Sequence, residues 1–233
     1  LEAIGEWGLT HIELRAADGV NVSDFTPDKV KEVKAKLDRA GIKVSSIGSP
    51  IGKITIEDDF APHLEKLKRT LEIQKGLDAP YVRMFSFYLP KDRDPKEFQG
   101  KVMEQVGAMV EEAKAWDSVL LHENEKGIYG DNASRCGELM DAFYGDHFRA
   151  VFDFANFVEV GQEPLPAYER LKPFIQYVHI KDALMKEKKV VPAGQGDGHV
   201  KEILGDLIGG GFHGFLSLEP HLTDFAGLAA LEQ

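Results

Sequence analysis

Four polar residues of related chemistry each close a short hydrophobic run in the second half of the chain. They are Glu123 in Leu120-Leu121-His122-Glu123, Asp153 in Val151-Phe152-Asp153, His179 in Tyr177-Val178-His179 and Glu219 in Leu216-Ser217-Leu218-Glu219. A charge at the end of a buried run is costly unless it is paired or bound to a metal. Side chains alternate along a strand, so Val119, Leu121 and Glu123 share one face. The same rule groups Val151 with Asp153, Tyr177 with His179 and Ser217 with Glu219. If those faces converge, three carboxylates and an imidazole meet. That set suits one divalent cation of intermediate hardness: Mn2+, Co2+, Mg2+ or Zn2+. Any one of the four alone reads as a solvated rim carboxylate or a hydrogen-bonded structural histidine. Their recurrence at four successive strand ends carries the metal-site expectation.

Such a site needs elements that bring strand ends together. β-rich runs at His11–Arg15, Val44–Gly48, Tyr81–Phe87, Val119–Glu123, Ala150–Phe154, Tyr177–Ile180 and Phe215–Glu219 alternate with segments of helical periodicity. Thr26-Pro27-Asp28 begins a helix striped by Val30, Val33 and Leu37 and stopped by Gly41. Further stripes are Leu64/Leu67/Leu71, Phe98/Val102/Val106/Met109/Ala113, Cys136/Leu139/Met140/Phe143 and Ile203/Leu204/Leu207/Ile208, with a short helix at Pro166–Leu171. Strict alternation implies parallel strands, in either a doubly wound sheet or a (β/α) barrel. The glycine loops of nucleotide-binding sheets follow none of the strands, which favours the α/β (β/α)8 TIM barrel, whose functional groups sit at strand C-termini. Seven strands are counted where such a barrel has eight, and Leu1–Trp7 reads as the latter half of a helix. We therefore expect residues 1–233 to form one barrel domain whose first strand is missing from this chain.

Composition narrows the function classes. The 233 residues carry 28 Lys+Arg against 39 Asp+Glu, a formal charge of −11, which disfavours a nucleic-acid partner. Hydrophobic residues at 43% and charged residues at 29% are ordinary for a globular chain. No apolar run reaches membrane-span length, so no membrane partner is expected. The single cysteine, Cys136, fits a reducing cytoplasm and reads as a core residue.

The motifs along nearly the whole chain resemble the xylose isomerase-like TIM barrel superfamily of sugar phosphate isomerases/epimerases, which also contains endonuclease IV of the AP endonuclease family 2 type. They are Gly8-Leu-Thr-His-Ile-Glu-Leu-Arg15, Ser49-Pro-Ile-Gly-Lys53, Arg83-Met-Phe-Ser86, His122-Glu-Asn-Glu-Lys-Gly-Ile-Tyr-Gly-Asp131, Asp153-Phe-Ala-Asn156, His179-Ile-Lys-Asp182, Pro192-Ala-Gly-Gln-Gly-Asp-Gly198 and Glu219-Pro-His221. The resemblance implies that Glu123, Asp153, His179 and Glu219 hold one divalent metal ion, and that Glu123 and Glu219 are also the catalytic acid/base pair. It implies an isomerase or epimerase acting on a sugar, sugar phosphate or sugar-derived acid through an enediolate, one glutamate removing a proton and the other returning it. A related metal-dependent dehydratase is the alternative enzyme, and a carbohydrate-binding protein that keeps the metal site is the non-catalytic one. The three-zinc nucleases need further histidines, whereas this chain has Asn156 at one such position and none in Tyr81–Tyr88. Asn156 also replaces the substrate-binding histidine of the ketose 3-epimerases, so substrate recognition does not carry over.

Substrate contacts are expected from Lys53, Arg83, Asn156, Lys181 and His221. The three cations among them suit a carboxylate or phosphate, Arg83 by paired hydrogen bonds. Pairing of Arg83 with Glu13 or Glu123 is the alternative. Asp182 is expected to orient a ligand or Lys181, and His122, pointing away from Glu123, to be structural. The stretch Lys186–Gly198, with Gly194, Gly196 and Gly198, reads either as a loop over the substrate or as a tight turn. The partner is then a small sugar or sugar acid, and a homo-oligomer is compatible with the sequence.

Overall fold

The structure is a computed structural model describing residues 1–222; residues 223–233 of the expected domain lie outside it. Seven strands make the main sheet: β1 His11–Leu14, β2 Lys43–Ile51, β3 Tyr81–Met84, β4 Val119–Glu123, β5 Phe148–Asp153, β6 Ile175–Ile180 and β7 Phe215–Leu218. Their spatial order is their chain order. The pairs β1·β2, β2·β3, β5·β6 and β6·β7 are all parallel. A doubly wound sheet reverses its strand order at a switch point; among the described residues this one does not reverse, and its seven strands have the winding of an α/β barrel, a class that has eight when complete. Contacts divide the chain into two compact units, residues 1–121 with 145–148, and residues 122–144 with those from 149 onward.

In the first unit, helix α1 Glu2–Glu6 leads into β1, and α2 Pro27–Ala40, α3 Phe60–Gly76 and α4 Gln99–Ala115 connect the strands. Helix α2 begins as the sequence requires: the Thr26 side chain accepts from Lys29 N and Pro27 fills the first turn. It ends on Gly41 at φ 68°, and Val30, Val33 and Leu37 are its buried stripe. Strand β2 is longer than its apolar run suggested, because Ser45, Ser46 and Ser49 are buried along it. The Ser49 hydroxyl donates to Arg83 O, 2.5 Å away, so a polar side chain is accommodated inside the sheet.

The second unit carries α5 Ala133–Phe143, α6 Phe154–Glu159, α7 Pro164–Leu171 and α8 Val200–Gly209. Its core joins Phe152 of β5 and Val178 of β6 to Phe154, Phe157, Tyr168, Leu171, Ile203 and Leu207 from the helices. Each fully buried aliphatic or phenyl side chain contributes roughly 1.5–3 kcal/mol. Phe152 meets Phe154 and Tyr168 edge to face, with centroids 5.2 and 6.0 Å apart. By alternation the neighbours of Phe152 and Val178, Asp153 and His179, take the opposite face, and the helix-side packing thereby aims them. Helix α6 has no polar stripe, since Phe154–Val158 are all buried; it therefore gave no helical period to read. An antiparallel ribbon, Asp182–Leu184 with Lys189–Val191, follows β6 where a plain loop was expected. Among the described residues no helix is long and apolar enough to cross a membrane.

His122 is buried on the strand that ends in Glu123. Burial pulls its pKa down to about 4, against a small upward pull from Glu123. The unfolded chain, with an ordinary imidazole near 6.5, binds that proton first. The stabilisation is therefore complete above about pH 6.5 and is lost as pH falls towards about 4, by about 3 kcal/mol in all. Urea unfolding across this window should show the loss, and the His122 ring resonances should titrate near pH 4 rather than near 6.5.

Candidate metal centre

The four residues expected to converge do so, all within the second unit. One ligand atom from each of Glu123, Asp153, His179 and Glu219 lies within 4.8 Å of all the others. Glu123 ends β4, Asp153 ends β5, His179 lies in β6, and Glu219 follows β7. Register sets their level: Asp153 pairs with His179 across β5·β6, and Ser217 pairs with His179 across β6·β7. Glu219 is held one step further along by its own N–H, which donates to Ile180 O at 3.2 Å. The imidazole faces the carboxylates through Nδ1, 3.0 Å from Glu123 Oε1, 3.8 Å from Asp153 Oδ2 and 3.8 Å from Glu219 Oε2. Asp153 and His179 are fully buried, and Glu219, 9% exposed, is the most accessible of the four.

Three carboxylates this close repel one another in a poorly hydrated pocket. Burial pushes the Asp153 carboxyl up, to about 7; Lys181 and His179 pull it back, and Glu123 and Glu219 push it further up. The donor set fits a divalent ion. Three oxygens and one imidazole nitrogen at this mutual spacing can reach a common centre with bonds of about 2.0–2.4 Å.

Asn124, outside the set, fixes Asp153 within it. The Asn124 amide brackets the Asp153 backbone, accepting from Asp153 N at 2.9 Å and donating to Asp153 O at 3.0 Å. It ties the end of β4 to the end of β5. Asp153 itself caps α6, its Oδ1 accepting from Asn156 N at 2.8 Å, so one carboxylate oxygen is committed to the helix and Oδ2 turns to the cluster. Asn124 was not singled out from the sequence, because an asparagine after a strand reads as ordinary turn chemistry.

The expected substrate contacts divide between the two units. Lys181 and Asn156 lie inside the cluster: Lys181 Nζ is 2.8 Å from Asp153 Oδ2, 3.7 Å from Glu219 Oε2, and donates to Asn156 Oδ1 at 3.0 Å. The Asn156 amide is further engaged with Asn124 O at 2.8 Å and Glu123 Oε1 at 3.4 Å. Burial alone would lower the Lys181 pKa, but Asp153, Glu219 and Glu123 together hold it above the usual lysine range. His221 Nε2 lies 3.9 Å from Glu219 Oε2 on a half-exposed side chain. Lys53 and Arg83 belong to the first unit, where both stack on the Phe85 ring at 4.2 and 5.2 Å. Arg83 is buried, with Nη1 3.4 Å from Glu13 Oε1 and Nη2 donating to Gly48 O. Arg83 thus pairs with Glu13, one of the two acids named in the alternative reading.

Asp182 does something other than expected. Its buried carboxylate accepts four backbone N–H groups at 2.9 Å each, from Ala183 and Gly198 on Oδ1 and from Gly194 and Gly196 on Oδ2. It therefore organises the segment after the ribbon rather than orienting a ligand. A Cβ on Gly196 would stand 2.4 Å from Ala183 O, and one on Gly198 2.6 Å from Asp182 Oδ1, which explains the glycines at every second position. That spacing was the available sequence signal for this anchor.

The chain belongs to the xylose isomerase-like TIM barrel family, which matches it over residues 1–231. The uncharacterized protein YihM of Escherichia coli (strain K12) is 39% identical over 64 residues, 25% of this chain and 20% of that protein. The chain thus matches about a fifth of that relative's length. The crystal structure of a D-tagatose 3-epimerase-like protein aligns with a TM-score of 0.83 at 18% identity, covering 100% of this chain and 88% of that one. A xylose isomerase-like TIM barrel protein from Mycobacterium smegmatis, in complex with magnesium, aligns with a TM-score of 0.76 at 17% identity, covering 98% and 83% of the two chains. At such identities the likeness is one of fold, and the winding of the seven strands agrees with it.

Two measurements follow from the supporting contacts. Asn124→Ala frees the Asp153 backbone, and divalent-metal affinity in calorimetric titration should fall by roughly 10–100-fold. Asp182→Asn turns a carboxylate oxygen that accepts backbone N–H groups into a donor. It should cost about 3 kcal/mol in urea unfolding and open residues 185–197 to limited proteolysis.

Proposed function

We propose that this protein is a divalent-metal-dependent isomerase or epimerase of a sugar or sugar-derived acid. The observation that carries this reading is the placement of two glutamates, Glu123 and Glu219, in one cluster with Asp153 and His179. A site that only bound a carbohydrate would need no pair of proton-transfer groups. The metal would supply Lewis-acid stabilisation of negative charge on the substrate oxygens.

The chain's own residues do the rest. Glu219, the ligand residue most open to solvent, is where an incoming substrate meets a carboxylate, and we assign it the removal or return of the proton α to the carbonyl. Glu123 is held by the Asn156 amide and by His179, and we assign it the opposite transfer. Asn156 and Lys181 keep Glu123 and Glu219 at their separation through a shared hydrogen bond. His221 stands beside Glu219 and is suited to contact a substrate hydroxyl. Family membership, and the fold shared with a D-tagatose 3-epimerase-like protein, support the substrate class.

The test is solvent exchange. Incubated in D2O with a panel of ketoses and keto acids, the metal-loaded protein should place deuterium at the carbon α to the carbonyl, read by mass spectrometry. Glu219→Gln should slow incorporation by about 10²–10⁴-fold, and a chelator should abolish it. Loss of water from the substrate in place of exchange would make the protein a dehydratase. A protein that binds sugar but exchanges nothing would be a binding protein.

A further inference from the structure

Lys181 brings to the cluster a charge of the same sign as a metal ion. It is 5% exposed, and Nζ lies against two of the four ligand residues, 2.8 Å from Asp153 Oδ2 and 3.7 Å from Glu219 Oε2. Asn156 fixes the ammonium from behind by accepting its proton at 3.0 Å, while its own amide nitrogen is spent on Asn124 O and Glu123 Oε1. The lysine is therefore built into the carboxylate cluster and does not hang at its rim.

We infer that Lys181 is a tethered counter-ion of the metal centre: it shares Asp153 and Glu219 with the ion, weakens metal binding and keeps the metal-free protein folded. Without Lys181 the three buried carboxylates would attract the ion more strongly, because the interaction of charges a few ångströms apart is large in a poorly solvated site. The same removal would leave the metal-free protein with an uncompensated buried charge, which is strongly destabilising. Metal affinity and metal-free stability should thus move in opposite directions in a charge-removing variant. A lysine that merely filled space would not produce that pairing. One that contacted only substrate would leave both quantities unchanged.

The inference rests on the metal-centre reading, and the test separates the two. Wild type, Lys181→Met and Lys181→Gln are stripped of metal and titrated calorimetrically with Mn2+ and, separately, Co2+. Thermal unfolding is recorded with and without metal. Gln retains a hydrogen-bonding group for Asn156 and serves where Met does not fold. The expected result is a Kd lower by about tenfold or more in the variants for both ions, a metal-free Tm lower by roughly 5 °C, and a larger rise of Tm on adding metal. If wild type binds metal and the variants bind it equally or more weakly, the counter-ion role is overturned and the metal centre stands. If the variants bind metal and wild type does not, the inference is supported in its strongest form. If none of the proteins binds either ion, the metal-centre reading falls, and the inference falls with it.

Discussion

Crowding of like charge is the constraint on which the rest of the second unit depends. Glu123, Asp153 and Glu219 present oxygens within 4.8 Å of one another at the buried ends of three strands. Left alone, they would be among the most costly groups in the molecule. Every neighbouring feature answers that cost. His179 turns Nδ1 towards all three, Lys181 brings a positive charge, and the N-terminus of α6 takes one oxygen of Asp153. A divalent ion at the same point would complete the compensation. The polar network is dense because it balances charge as well as geometry.

Much of this was legible in the residues. Alternation already put Asp153 and His179 on the faces opposite Phe152 and Val178, and those two lie in the core packed against the helices. The strands, the α2 cap and the stripe of Val30, Val33 and Leu37 follow from local chemistry that tertiary structure did not override. What escaped was of another kind. Helix α6 is buried on every side and so has no period. The ribbon after β6 is polar and short. Asn124 and Asp182 act on backbone groups, and backbone partners leave no mark in a side-chain pattern. Lys181 has the strand parity of His179 and was legible as inward-pointing only if the strand continued; β6 stops at Ile180, and the partners of Lys181 come from β5 and from beyond β7.

Asp153 shows how tightly local and distant demands can be joined. It is the last residue of β5, the cap of α6, a register partner of His179 and a member of the cluster. Its two oxygens divide the labour, one turned to the helix and one to the cluster. A substitution there alters the start of a helix and the site together. Asn124 is the cleaner probe of the site, since its contacts bear on where Asp153 stands and not on what Asp153 is.

The four-fold grip of Asp182 has a consequence for how this protein can vary. One carboxylate receives the N–H of Ala183, the residue after it, and three N–H groups from residues 194–198, so the intervening stretch leaves and returns to a single anchor. Whatever lies between is mechanically a side branch. Lengthening such a branch costs little, about 0.6 kcal/mol for each doubling of a flexible segment. The stretch between Leu184 and Gly194 can therefore be remodelled, extended or exchanged while the four-residue cluster keeps its geometry. The chain has, in effect, a replaceable attachment point one residue away from its most constrained lysine.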